Sequence, residues 1–212
     1  MYKKLEKKTL IISFAILLTT LIITSSFLLT IFDESFISKK SKSIENKEIV
    51  LSNFMNYLQD KTDHLSEAFN VREKEHMQDV KDIIQTTNSV NLFSLISLIA
   101  ITFSLIHKKQ YKILKTSLKY STISSFSTIL LLILGVLNFQ IFFNKFHELF
   151  FKPGTWLFYS TDTLIRLFPF NFFQTAFIKI ILTSLVFSCI ILTLTIIFNS
   201  YSKRKSHNLQ LE

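Results

Sequence analysis

The chain has 212 residues, 49% of them hydrophobic, with a mean hydropathy of +0.36 and a formal net charge of +9. So apolar a composition excludes an ordinary soluble domain and points to a small integral membrane protein. The basic balance does not point to nucleic acid, because Lys and Arg stand beside apolar segments and are not interleaved with stacking aromatics; it belongs to membrane topology.

Residues 1–8 carry Lys3, Lys4, Lys7 and Lys8 against Glu6. Residues 10–32 then run uncharged for long enough to cross a bilayer at about 1.5 Å per residue. That run exceeds a secretory apolar core of roughly 7 to 15 residues and lacks an A-x-A cleavage pattern, so it reads as an uncleaved anchor. Residues 33–89 hold 11 acidic against 8 basic side chains, the mark of a folded loop outside the bilayer. Within it, Val50, Phe54, Tyr57 and Leu58 fall at helical spacing and predict a short amphipathic helix over 44–58. Asn70 followed by Glu73 resembles a capping box, so a second helix is expected from there. It sets His76 and Asp79 on neighbouring turns, with Asp79 near enough to hold one ring nitrogen.

Residues 90–106 are a second uncharged run, somewhat short, which either stands alone or continues the helix from Asn70 after an interruption at 86–89. Residues 107–119 contain Lys108, Lys109, Lys112, Lys115 and Lys119 with no acid, and read as a cytoplasmic loop. Residues 120–144 make the third span and 172–198 the fourth. Lys179 lies in the outer third of the fourth span, where its stem can snorkel. Cys189, the one cysteine, has no partner there and reads as a buried, inert thiol. Lys203, Arg204 and Lys205 follow. The positive-inside rule puts both termini in the cytoplasm, so 33–89 and 145–171 share the outer face and should form one cap. The expected architecture is a single all-α membrane domain over 1–212, four transmembrane helices with an extracellular cap built from the loops between spans 1 and 2 and spans 3 and 4. With only Gly135 and Gly154 in the chain there is no phosphate loop and no nucleotide cofactor is implied.

Residues 143–173 hold the only Trp, both Pro and one of the two Gly. If the third helix continues outward, Phe143, His147 and Phe151 stack four apart and sandwich the imidazole between rings. The topology places His76 and His147 on one side of the membrane at similar depth. Two imidazoles can divide acid and base work, one removing a proton from a nucleophile and the other protonating a leaving oxygen. The plain alternative is a pair of interfacial histidines bonded to backbone carbonyls. Zinc is a further reading, with Asp79 or Glu148 as third ligand, but no H-E-x-x-H spacing supports it and no metal is expected. His64 and His107 read as solvated. Arg72 and Arg166 are expected to pair with Glu73, Asp79 or Asp162, or else, like Asp162 itself, to meet a substrate. Phe143, Phe146, Phe150, Phe151, Trp156 and Phe158 would anchor the chain at the interface or wall a dry pocket for acyl chains.

The segments Glu75-His76-Met77-Gln78-Asp79-Val80-Lys81, Phe146-His147-Glu148-Leu149-Phe150-Phe151, Trp156-Leu157-Phe158, Thr161-Asp162-Thr163-Leu164-Ile165 and Leu167-Phe168-Pro169 resemble the lipoprotein intramolecular transacylase family of Gram-positive bacteria. The resemblance implies a four-helix bacterial cell-membrane enzyme with an extracellular cap and active site. It would act, without cofactor and as a monomer, on a diacylated lipoprotein among membrane lipids to give the lyso form. Its two catalytic histidines match His76 and His147. The reaction would move the sn-2 acyl chain onto the α-amine of the N-terminal lipidated cysteine through a ring of about eight atoms, held in near-attack geometry. Asp79, one turn on, suggests that His76 is the more basic of the two and acts first. The competing class is a membrane scaffold or lipid-binding module that binds a lipoprotein without altering it.

Overall fold

The computed structural model describes residues 2–208, with the side chains of 5–198 and of Ser200. The terminal basic groups Lys3, Lys4 and Lys203 to Lys205, and His207, lie outside those described side chains. The described residues form eight helices and no strand: α1 (Tyr2–Ile31), α2 (Glu34–Lys40), α3 (Lys47–Leu58), α4 (Val71–His107), α5 (Tyr111–Leu137), α6 (Phe139–Phe150), α7 (Thr163–Leu167) and α8 (Phe170–Asn208). Four of them, α1, α4, α5 and α8, are long and apolar enough to cross a membrane.

The second and third apolar runs end differently from the sequence reading. There is no interruption at 86–89: the Thr87 and Ser89 hydroxyls donate back to the Ile83 and Gln85 carbonyls, which keeps these polar side chains satisfied inside a helix. The uncharged stretch of α4 therefore runs over residues 83–106, and the charged turns before it, where His76 lies, precede the span. The third helix stops at Leu137 instead of reaching Asn144. Asn138 leaves helical geometry (φ −135°, ψ 67°) and its side chain accepts the Ile141 N–H, so it caps a new helix, α6. No Pro or Gly marks that break.

The chain divides into two compact units. The first comprises Met1–Ser25, Val90–Leu132 and Ile181–Glu212. Its core is Phe14, Leu18, Ile22, Leu98, Leu105 and Leu114. Some polar groups inside it are paired with one another: Asn91 donates to the hydroxyls of Thr24 (2.9 Å) and Ser25 (2.8 Å), and Thr19 donates to Ser124 at 3.0 Å. Cys189 corrects its sequence reading, since it is exposed on α8 among Leu185, Val186, Ile190 and Leu194, on the helix flank turned outward.

The second unit comprises Ser26–Ser89 and Ile133–Ile180 and holds the larger core. The inward stripe of α3 behaves as its spacing requires, with Val50, Phe54, Tyr57 and Leu58 all buried. They pack with Phe69, Met77, Leu164, Leu167 and Phe168. Lys81 of α4 is buried too, its ammonium 2.6 Å from the Asp60 carboxylate and over the Tyr57 ring. Asp33 caps α2 by accepting the Phe36 N–H at 2.9 Å, and its carboxylate also pairs with Lys179 of α8. That ion pair, rather than snorkelling alone, accommodates the lone charge of the fourth span, and the ammonium lies over the Phe36 ring. Near the end of α5, Gly135 lets Phe142 and Phe177 approach closely, because a Cβ there would meet the Phe142 ring at 3.0 Å.

Candidate functional site

His76, His147 and the rings singled out over residues 143–158 belong to the second unit. His76 sits on the second turn of α4, which starts with the expected capping box: Asn70 accepts the Glu73 N–H (3.0 Å) and Glu73 accepts the Asn70 N–H (2.8 Å). His147 comes from α6. The Pro153-Gly154 turn that follows is of type II, with Gly154 at φ +83° and Thr155 N–H donating to the Lys152 carbonyl, and it returns the chain so that Trp156 and Phe158 reach the imidazoles.

The two imidazoles stack, with ring centroids 6.1 Å apart and planes 22° from parallel. Phe151 touches both, at 4.6 Å from His76 and 5.2 Å from His147. Phe158 stands edge-on to His76 at 5.3 Å, and Trp156 lies 4.8 Å from His147. Phe143 (4.1 Å) and Phe146 (5.5 Å) close the remaining sides of His147, and Phe150 stacks behind Phe146. The Phe143, His147, Phe151 ladder expected from spacing is therefore present, although Phe151 is already extended chain beyond the end of α6.

The polar environment of the pair departs from the sequence reading. His76 is 5% exposed, and its Nδ1 is buried without a hydrogen-bond partner. No bond or ion pair joins it to Asp79 among the described residues, because Asp79 lies three positions on in the helix without the ring turning to meet it. Burial, with the His147 charge as a lesser cause, lowers the His76 pKa from 6.5 to about 4. His76 is thus not the more basic imidazole that a carboxylate partner would have made it. His147 is lowered as well, by burial, against a contrary pull from the Phe143 carbonyl. That carbonyl lies 2.8 Å from Nδ1 of His147; a carbonyl only accepts, so Nδ1 carries the proton and Nε2 keeps its lone pair. At neutral pH the site holds two uncharged imidazoles, one of fixed tautomer.

The expected carboxylate pairing of Arg72 is replaced by a backbone contact, and no carboxylate pairs with Arg166 among the described residues. Arg72 donates to the Leu157 carbonyl and lies over the rings of Phe158 (5.8 Å) and Tyr159 (5.7 Å). Asp162 accepts from Tyr159 N–H at 2.8 Å and from the Asn70 amide at 3.1 Å, ahead of α7. Arg166 is exposed. Glu148 pairs with Lys145 at 2.6 Å, and among the described residues no three His, Cys, Asp or Glu side chains gather as a metal site. His64 and His107 are exposed. A surface depression lined by Glu48, Ile49, Ser52, Asn53, Asn56 and Thr62 contains neither imidazole.

Sequence reasoning gave Glu73 a capping role and a place among the carboxylates expected to pair with the arginines. Its carboxylate is 1% exposed and accepts a second backbone donor, Leu164 N–H of α7, so it ties the start of α4 to the segment after Trp156. Thr163 adds a bond to the Ala68 carbonyl at 2.6 Å. Glu73→Ala strands a buried N–H, which costs about 1–3 kcal/mol; a clear drop in the thermal unfolding midpoint of the purified protein is the expected result, and an unchanged midpoint would deny the bridge.

The family described as lipoprotein intramolecular transacylase Lit matches residues 8–173. A solved structure of the membrane-integral lipoprotein intramolecular transacylase Lit from Bacillus cereus is 19% identical, covers 94% of this chain and 98% of its own, and superposes with a TM-score of 0.81. A single-substitution variant of that protein gives 18% identity, coverage of 96% and 98%, and a TM-score of 0.76. An uncharacterized protein of Aquifex aeolicus is 33% identical over 142 residues, which is 65% of this chain and 61% of the relative, so the match spans about three fifths of that relative's length.

Proposed function

The chain belongs to the lipoprotein intramolecular transacylase family, and we propose that it moves the sn-2 acyl chain of a diacylglyceryl lipoprotein onto the α-amine of that lipoprotein's N-terminal cysteine. Membership in a transacylase family, four helices long enough to span, and a membrane-integral structural relative make the chain a multi-pass membrane protein. The proposed orientation follows from charge: basic ends and a basic 107–119 loop in the cytoplasm, and the imidazole pair in an extracellular cap.

The observation that carries the reading is the stacked His76 and His147 pair within aromatic walls. An α-amine near its reference pKa of about 8 must shed a proton to attack an ester, and surroundings poor in water ease that loss. In the proposed step the amine nitrogen bonds to the ester carbonyl carbon and Nε2 of His147 takes the proton released. The carbon bond to the sn-2 oxygen then breaks, and the imidazolium formed on His147 returns that proton to the departing oxygen, so the step balances within one substrate. His76, neutral because it is buried, supplies an N–H to the oxygen that carries the developing charge. This division differs from simple sharing of acid and base work, because an imidazole held at about 4 is not a proton reservoir at neutral pH. Phe143, Phe146, Phe150, Phe151, Trp156 and Phe158 hold the acyl chains and keep water out. Asp79 and Arg166 stand for the polar part of the lipoprotein, with Asp162 shaping the adjoining turn.

Coexpression of the chain with a model lipoprotein, in cells lacking other N-acylating enzymes, tests the reading by mass spectrometry of the lipoprotein N-terminus. A mass-neutral shift of one acyl chain from glycerol to nitrogen is expected. A bound but unmodified lipoprotein would replace catalysis with a scaffold role.

A further inference from the structure

Arg72 is one turn before His76 on α4, yet its guanidinium does not accompany the imidazole. It reaches the segment after Trp156, donating to the Leu157 carbonyl and lying over the Phe158 and Tyr159 rings. Phe158 is the ring that stands edge-on to His76. The same segment is fixed further along by the buried bond from Leu164 N–H to Glu73 and by an exposed one from Thr163 to the Ala68 carbonyl, but between Trp156 and Tyr159 the polar tie to α4 is Arg72. Exposed Leu157 and Tyr159 flank it, so their own burial does little to hold the segment down.

We propose that Arg72 is a positioning residue: it pins residues 157–159 so that the Phe158 ring stays packed on His76, and it does not itself bind the substrate. Arginine suits this task where lysine does not. Its planar fork donates to a carbonyl while its face lies on aromatic rings, which one ammonium cannot do at once. The inference rests on the transacylase reading for its catalytic consequence alone, because the packing of Phe158 on His76 can be measured without any acyl transfer.

The full chain in lipid nanodiscs, labelled at histidine ring carbons, gives the first readout by NMR titration. The titratable group facing His76 is His147, whose own titration serves as the internal reference. In Arg72→Ala the His76 titration should move upward from about 4 toward the ordinary 6.5, because Phe158 lifts and water reaches the ring. Phe158→Ala should give the same shift, the two together no more, and Arg72→Lys an intermediate one. With a model lipoprotein, Arg72→Ala should lower kcat about tenfold with KM little changed, as expected for a displaced but still present catalytic group. A raised KM with the His76 titration unmoved would make Arg72 a substrate contact and overturn the proposal, as would variants indistinguishable from the parent. If the parent chain transfers no acyl group while the titration shifts as described, the transacylase reading falls and the pinning of Phe158 stands.

Discussion

Replacing His147 with Gln is expected to slow acyl transfer by about a hundredfold to ten-thousandfold, the usual weight of one general base. The expectation follows from the tautomer. With Nδ1–H donated to the Phe143 carbonyl at 2.8 Å, the remaining nitrogen can only accept, and it is the one atom in the pair whose protonation state the protein fixes. Glutamine has similar volume and an amide that can hydrogen-bond, but it cannot take up and return a proton on the time scale of the reaction. His147 is half-buried among Phe143, Phe146, Phe151 and Trp156, so a side chain of this size leaves the aromatic packing in place and the thermal midpoint near that of the parent. The initial rate of mass-neutral lipoprotein conversion is the measurement. Retention of activity within tenfold, in protein that is folded and in the membrane, would remove His147 from the chemistry.

Much of this site could be read before any coordinates because two of its determinants are written along the chain. Uncharged runs reveal spans, and the two crossings between 76 and 147, an even number, imply one side of the bilayer for both histidines without knowledge of packing. Four-residue spacing likewise foretold the ring ladder around His147, and Asn70 with Glu73 foretold the capping box. What stayed hidden were the backbone partners far away in the chain. The Leu157 carbonyl that receives Arg72 and the Leu164 N–H that Glu73 accepts carry no residue code, so charge complementarity pointed to carboxylates that the arginines do not meet. The break at Asn138 was missed for a related reason: a lone Asn in an apolar run is a weak signal beside the hydropathy, and only the donor it captures, Ile141 N–H, makes it a cap. Asp79 shows the limit of helical periodicity, which brings two side chains to adjacent turns but does not decide whether a ring turns toward a carboxylate or toward rings. In His76 the rings of Phe151 and Phe158 won, and the imidazole was left desolvated instead of charged.

That choice sets the second large effect. His76→Gln is expected to reduce transfer by about a hundredfold to a thousandfold, the weight of one donor aimed at a developing oxyanion. The His76→Gln, His147→Gln double variant should be little worse than the poorer single, since groups acting on one transition state do not add. Acid sensitivity separates His76 from a residue that merely fills space. In the folded protein it binds its proton near pH 4, whereas in the unfolded chain it does so near 6.5. Between those values the unfolded chain therefore holds more protons, and the stability given by the buried neutral ring, full above about 6.5, is lost as the pH falls toward 4. The thermal midpoint of the parent should drop across that window, and the drop should be smaller in His76→Gln, which has nothing to titrate there. An equal acid response in both proteins would mean that His76 is hydrated and of ordinary basicity in the membrane-embedded chain. In that case it would be charged below pH 6.5, its charge would make His147 beside it a poorer base, and it could not serve as the neutral donor.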